Sequence, residues 1–193
     1  MTIGAIILAA GSSRRFGDDK RKSVLETGKT VLATCIENAD ACFDEVLVVL
    51  RFGDREYANE LAQAFDRPAI TFFCAPDSAK GMAHSLANAI AGVKDWDAAI
   101  IFLGDMPYLT IETIRLMLDK YTDSAGQEPI IVPTHGGEQG HPVMFHHRYF
   151  NAIEQLEGDQ GARSVIQANT DKIINVPVDD AGILRDIDTH ADL

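Results

Sequence analysis

Five basic side chains fall within nine positions: Arg14, Arg15, Lys20, Arg21 and Lys22. They belong to a small-residue segment, Leu8-Ala9-Ala10-Gly11-Ser12-Ser13-Arg14-Arg15-Phe16-Gly17-Asp18-Asp19-Lys20, that directly follows an apolar run. Ala9, Ala10, Gly11 and Ser12 let the backbone approach a ligand closely, and successive N–H groups there can cradle anionic oxygens. Arg15 and Lys20 supply positive charge where negative charge builds on a transferring phosphoryl group. Two other phosphate-binding patterns fail on the same residues. A dinucleotide loop requires glycine where Ser13 stands, and a P-loop requires lysine where Asp18 follows Gly17. That argues against an NAD-dependent Rossmann enzyme. The plain alternative is a solvated basic loop, and the position just after a strand argues against it.

A carboxylate ends a later apolar run, in Leu103-Gly104-Asp105-Met106-Pro107. Mg²⁺ takes oxygen ligands, commonly one or two carboxylates completed by substrate phosphates and water. Asp105 is therefore a candidate metal ligand; the bland alternative is a turn cap. The histidines offer no competing chemistry. His146 and His147 are adjacent and point apart, and no H-x-x-x-H pattern or G-x-S-x-G elbow occurs.

These segments need a scaffold, and the chain supplies alternating strand and helix patterns. Strands are expected at 5–9, 45–50, 70–73, 98–103, 130–132, 143–145 and 173–176. Helices are expected at 31–42 with Thr30 as N-cap, at 57–65, from Met82 to Val93, after Thr110, at 147–156 and at 161–168. The fold class is α/β: a Rossmann-like three-layer α/β/α domain with a mostly parallel mixed sheet, one domain over 1–193. Ligands in such folds bind beyond the carboxyl ends of the strands, where strand order reverses. At 46% hydrophobic the chain can bury a sizeable core. A net charge of -12 argues against nucleic acid or an anionic membrane as a partner. Cys35, Cys42 and Cys74 show no metal or redox spacing and suit a reducing cytoplasm. The opening residues read as a strand rather than a signal peptide, and no run is long enough to span a bilayer.

The pattern L-A-A-G-x-S-x-R-[F/M]-G-x-x-K resembles the signature of the MobA-like nucleotidyltransferases, closest to their molybdenum-cofactor cytidylyltransferase branch. Further motifs are similar to family elements in the same order, so the likeness runs from Ile6 to Leu193. It implies that Leu8, Ala9, Ala10, Gly11, Ser12 and Arg15 bind the nucleotide, with Gly11 to Arg15 on the NTP phosphates and Lys20 on the reacting phosphates. Arg15, Lys20 and Asp105 are then the catalytic set. Ala10 places the chain with the CTP-using rather than the GTP-using branch. Ala75, Gly81 and Ser85 fall in the segment similar to the family's base site, where Ser85 either contacts the base or ribose or packs against the sheet. His141 and Arg163 fall on the acceptor side; Arg163 either meets a phosphate or forms a lock with Asp159. The closing Asp186-Ile187-Asp188-Thr189 resembles the family's second acidic motif and makes Asp188 the partner of Asp105 on Mg²⁺. His190 replaces a usual proline there, and Lys22-Ser23-Val24 replaces a Leu- and Pro-rich stretch.

The implied reaction is attack of an acceptor phosphate on the α-phosphorus of CTP, with pyrophosphate leaving. A phosphomonoester has a second pKa of about 6, so the nucleophile is already dianionic and needs no general base. Molybdopterin or its metal-loaded form is the implied acceptor, and sugar or other alcohol phosphates stay open. GTP as donor, and a non-catalytic nucleotide-binding protein, also remain alternatives. A molybdoenzyme or a chaperone is a conceivable protein partner for this branch, although no patch in the sequence points to one.

Overall fold

The apolar runs become strands because both of their faces find a helix layer to bury against. The computed structural model describes residues 1–11, 16–158 and 161–193. Among these the order is β1 (Ile3–Leu8), α1 (Val31–Asp40), β2 (Val46–Arg51), α2 (Arg55–Ala64), β3 (Ile70–Ala75), α3 (Met82–Ala91) and β4 (Ala98–Leu103). The chain continues through α4 (Ile111–Ser124), β5 (Ile130–His135), β6 (Glu138–Gln139), β7 (Val143–His146), α5 (Phe150–Glu154), α6 (Arg163–Ala168) and β8 (Ile173–Pro177).

One eight-stranded sheet runs β3-β2-β1-β4-β7-β5-β6, with β8 added alongside β5. β3, β2, β1 and β4 pair in parallel. β7 is antiparallel to both β4 and β5, which makes the sheet mixed. The chain leaves β1 outward to β2 and β3, then crosses back to place β4 on the other side of β1. Strand order thus reverses between β1 and β4, and their carboxyl ends flank the crevice where such folds bind ligands.

Alternate residues of one strand serve opposite layers. Ala5, Ile7, Val48 and Ile100 pack with Leu32 and Ile36 of α1 and with Ile114 and Met117 of α4. Ile6, Val49, Ala99 and Ile101 pack with Leu86 and Ile90 of α3 and with Ile153 of α5. Each such Leu or Ile contributes roughly 1.5–3 kcal/mol on burial. Thr30 and Thr110 cap α1 and α4, each hydroxyl accepting the N–H three residues on, from Ala33 and Thr113, at 3.3 Å.

Three local expectations change. The helix expected over 147–156 divides into a 3-10 turn, His147–Tyr149, and α5. The helix expected from 161 begins at Arg163, because Gly161 has φ +54 and lies outside helical space. The Gly-rich segment 136–140 contains an extra strand, β6. Gly136 and Gly137, at φ +60 and +90, form the tight turn of a hairpin whose exposed Glu138 and Gln139 carry no apolar signal.

Asp180 fastens the far end of the chain to α4. Its Oδ2 accepts from the Thr110 N–H at 3.0 Å and from the Thr110 and Thr113 hydroxyls at 2.8 and 2.7 Å; its Oδ1 accepts from the Gly182 N–H at 2.8 Å. Burial raises the Asp180 pKa, but these donors outweigh it and hold the carboxyl below its ordinary value. A depressed native pKa means the stabilisation is complete above the unfolded value of about 3.9 and is lost as pH falls through the native one. Asp180→Ala, leaving these donors with fewer partners, is expected to cost about 2–3 kcal/mol in urea unfolding at pH 7. The gap to the wild type should narrow below about pH 4.

Candidate active site

Gly104 brings the carboxyl ends of β1 and β4 together. A Cβ there would lie 2.8 Å from the Ala9 Cβ and 3.1 Å from the Leu8 carbonyl, and its N–H donates to that carbonyl at 2.9 Å. The close approach delivers Asp105 beside the loop that follows β1. From that loop Lys20 reaches across: its Nζ lies 2.6 Å from Asp105 Oδ2 and 3.6 Å from Asp188 Oδ1. It also donates to the Ile187 carbonyl at 2.8 Å.

Asp188 arrives through its neighbour. Ile187 is fully buried with Phe16, Leu25 and Val31, and its N–H donates to the Asp105 carbonyl at 2.9 Å. The chain end is tied down as well. The Thr189 hydroxyl and N–H donate to Asp192 Oδ2 at 2.8 and 2.7 Å, and the Tyr108 hydroxyl donates to the Asp192 carbonyl at 2.9 Å. His190, where a proline is usual, stacks on Phe16 with ring centroids 4.0 Å apart.

Arg21 locks the loop from beneath. Only 4% exposed, it donates to the Ala9 carbonyl at 2.9 Å, to Asp54 Oδ2 at 2.6 Å and through two nitrogens to Asp19 at 2.8 and 2.7 Å. Burial works against its charge, yet both aspartates more than compensate and raise its pKa. Arg51 adds a second tie, donating to the Gly11 carbonyl at 2.8 Å. Neither role is legible in the sequence, because Asp54 is 33 residues from Arg21 and Gly11 is 40 from Arg51.

These groups surround an open cleft of about 860 Å³. Leu8, Ala9, Ala10, Gly11 and Lys20 line it from the β1 loop, Gly81 and Ser85 from the start of α3, and Asp105 and Asp188 from the opposite wall. The Ser85 hydroxyl donates to the Gly81 carbonyl at 3.4 Å, so it both packs in its helix and faces the cleft. Ser12, Arg15 and Asp159 lie outside the described residues. Three expected residues stand apart from the cleft lining. Ala75 is fully buried in the core, and Pro76 lines the cleft in its place. Arg163 is exposed at the start of α6. His141 faces a separate cavity of about 10 Å³ shared with Cys35, Asn38 and Met106. Burial lowers its pKa, against the opposing charges of Asp105 and Asp186, so its ring is neutral at neutral pH and brings no charge to an anion. Cys35 is held protonated by burial, reinforced by Asp105, so it is no nucleophile.

Asp105 Oδ1 is buried and finds no hydrogen-bond partner among the described residues. One ammonium facing two carboxylates leaves the trio net negative, which repels a polyphosphate. A divalent cation on Asp105 and Asp188 would satisfy the orphaned oxygen and reverse that sign, so the residues fit one. No group of three or more His, Cys, Asp or Glu side chains is placed for a metal among the described residues. Such an ion would therefore rest on two carboxylates and on substrate oxygens.

The family model for the MobA-like NTP transferase domain matches residues 5–173. The chain belongs to this family. It is 30% identical over 191 residues to the molybdenum cofactor cytidylyltransferase of Escherichia coli, covering 98% of this chain and 93% of that one. It is 28% identical to a probable molybdenum cofactor guanylyltransferase of Natranaerobius thermophilus, covering 80% and 72%. Among solved structures, Rv0371c of Mycobacterium tuberculosis superimposes with a TM-score of 0.79 at 26% identity, covering 100% and 96%. A manganese complex of Rv0371c matches with a TM-score of 0.76 at 25% identity over the same shares. As a member of the MobA-like family the chain is a nucleotidyltransferase. No helix among the described residues is long and apolar enough to cross a membrane.

Within this MobA-like site Arg21 carries the largest buried charge balance. Arg21→Leu, which strands Asp19 and Asp54, is expected to lower stability by about 3 kcal/mol, the low end for a broken buried pair because both aspartates keep some contact with water. Denaturant unfolding measures it; a midpoint equal to that of the wild type would refute the clamp.

Proposed function

We propose that the chain transfers CMP from CTP to a phosphorylated pterin, the molybdenum cofactor or its metal-free precursor, and releases pyrophosphate. The observation that carries this reading is Lys20, set within 2.6 Å of Asp105 and 3.6 Å of Asp188 at the point where strand order reverses. CTP is favoured by Ala10 in the Leu-Ala-Ala-Gly loop and by the cytidylyltransferase relative, which matches over a larger share of the chain than the guanylyltransferase does.

The chemistry needs positioning more than acid–base help. An oxygen of the acceptor phosphate attacks the α-phosphorus in line; the new P–O bond forms as the bond to pyrophosphate breaks. The acceptor dianion carries its own nucleophilic electron pair, so no proton has to be removed. The difficulty is anion meeting anion. The backbone from Ala9 to Gly11, held by Arg21 and Arg51, presents the surface on which the triphosphate lies. Lys20 stands beside it to follow the charge that moves onto the leaving oxygens. Asp105 and Asp188 would hold Mg²⁺, which when bound supplies further electrostatic stabilisation of the same charge.

Pyrophosphate release, measured with each of four NTPs, Mg²⁺ and molybdopterin, tests the reading. CTP is expected to give the highest kcat/KM. A higher value with GTP would move the chain to the guanylyltransferase branch, and no release with any NTP would leave a binding protein. Lys20→Ala should lower turnover about a hundredfold or more while the folded state persists by circular dichroism. Asp105→Ala should also remove the dependence on Mg²⁺. Near-wild-type rates in either variant would overturn the assigned roles.

A further inference from the structure

Phe52 follows the last residue of β2 and is 73% exposed, yet it lines the same cleft as Lys20 and Asp105. A solitary exposed phenylalanine needs no explanation. This one is held. Its N–H donates to the Ser78 hydroxyl at 2.8 Å, which ties it to the 3-10 turn Ser78–Lys80 beyond β3. Gly53, at φ +107, turns the chain immediately afterwards. Met82, 43% exposed, lines the cleft with Pro76 and Ala79 on the same side.

The cleft therefore has two chemistries. Over β1 and β4 it is polar, with the Gly11 loop, Lys20 and Asp105. Over β2 and β3 its apolar lining is Phe52, Pro76, Ala79 and Met82, interleaved with Arg51, Ser78 and Lys80. A nucleoside triphosphate has a polyanion at one end and, at the other, a flat ring with a polar edge and two π-faces open to stacking. With the phosphates over β1 and β4, the cleft continues towards β3, and Phe52 stands on that path.

We infer that Phe52 stacks on the nucleobase of the bound NTP and supplies a substantial part of its affinity. This inference rests on the nucleotide-transfer reading. Every base has a π-face, so stacking on Phe52 is tolerant of base identity and leaves the choice of base to groups that meet its edge. An aromatic side chain presented with its backbone already fixed also loses little freedom on binding.

Phe52→Ala is expected to raise KM for the nucleotide about tenfold, with kcat within about twofold of the wild type, and Phe52→Tyr to restore KM. Because the side chain is exposed, the melting temperature should not move. Phe52→Trp provides a direct reading. The single native tryptophan, Trp96, is 8% exposed and packs against Gly4 at the opposite end of β1, away from the cleft. Titration of Phe52→Trp with each of four NTPs should quench the new indole with those that bind. Inorganic tripolyphosphate, which brings phosphates without a base, should leave it unchanged. An unchanged KM in Phe52→Ala, or quenching by tripolyphosphate as strong as by an NTP, overturns the inference. If the wild type releases no pyrophosphate, the transfer reading fails, while the fluorescence titration still decides whether a base stacks on this residue.

Discussion

One ammonium group holds the site together. Lys20 Nζ meets Asp105, Asp188 and the Ile187 carbonyl, so it joins the loop after β1, the end of β4 and the last turn of the chain. These segments are far apart in sequence, with Lys20 and Ile187 separated by 167 positions. The arrangement is also electrically unfinished. Among the described residues two carboxylates face one lysine, and one buried Asp105 oxygen has no hydrogen-bond partner. A divalent cation on Asp105 and Asp188 would offset that charge.

Precision in this trio depends on packing that carries no chemistry of its own. Ile187, fully buried, carries Asp188 into place, and Asp180 anchors the segment upstream of it to α4. Arg21 does the same for the loop, reading out a backbone carbonyl at Ala9 while two aspartates balance its charge. A charge buried to this extent is stable only when its partners are complete. The basic cluster near the amino end therefore divides into unlike roles: Lys20 faces the cleft and Arg21 braces the loop.

The sheet explains why the Lys20–Asp105 pair and the exposed Phe52 and Met82 meet in one cleft. Reversal of strand order between β1 and β4 opens a crevice at their carboxyl ends. What flanks it on either side is set by different connections: the β4 turn with Asp105 on one, the β2 and β3 turns with Phe52 and Met82 on the other. Family membership gives the reaction class.

The sequence alone was sufficient for the parallel α/β architecture, because strands buried on both faces must be almost continuously apolar, as 98–103 is, and helices must repeat every third or fourth residue, as the α1 face from Val31 to Ala39 does. It also singled out Gly11, Lys20 and Asp105 by type and by position after apolar runs, and the fold sets all three on one cleft. It was silent on β6, whose two polar residues bury nothing, and on Arg21 and Phe52, which look like any surface basic or apolar residue until the fold sets them beside Asp54 and Ser78. It placed His141, Ala75 and Arg163 among the ligand contacts, and the tertiary structure sets a neutral His141 in a small separate cavity, buries Ala75 and leaves Arg163 exposed at the start of α6. Patterns along a chain report local geometry and burial, whereas a site assembled from segments more than a hundred residues apart is decided by which strands become neighbours.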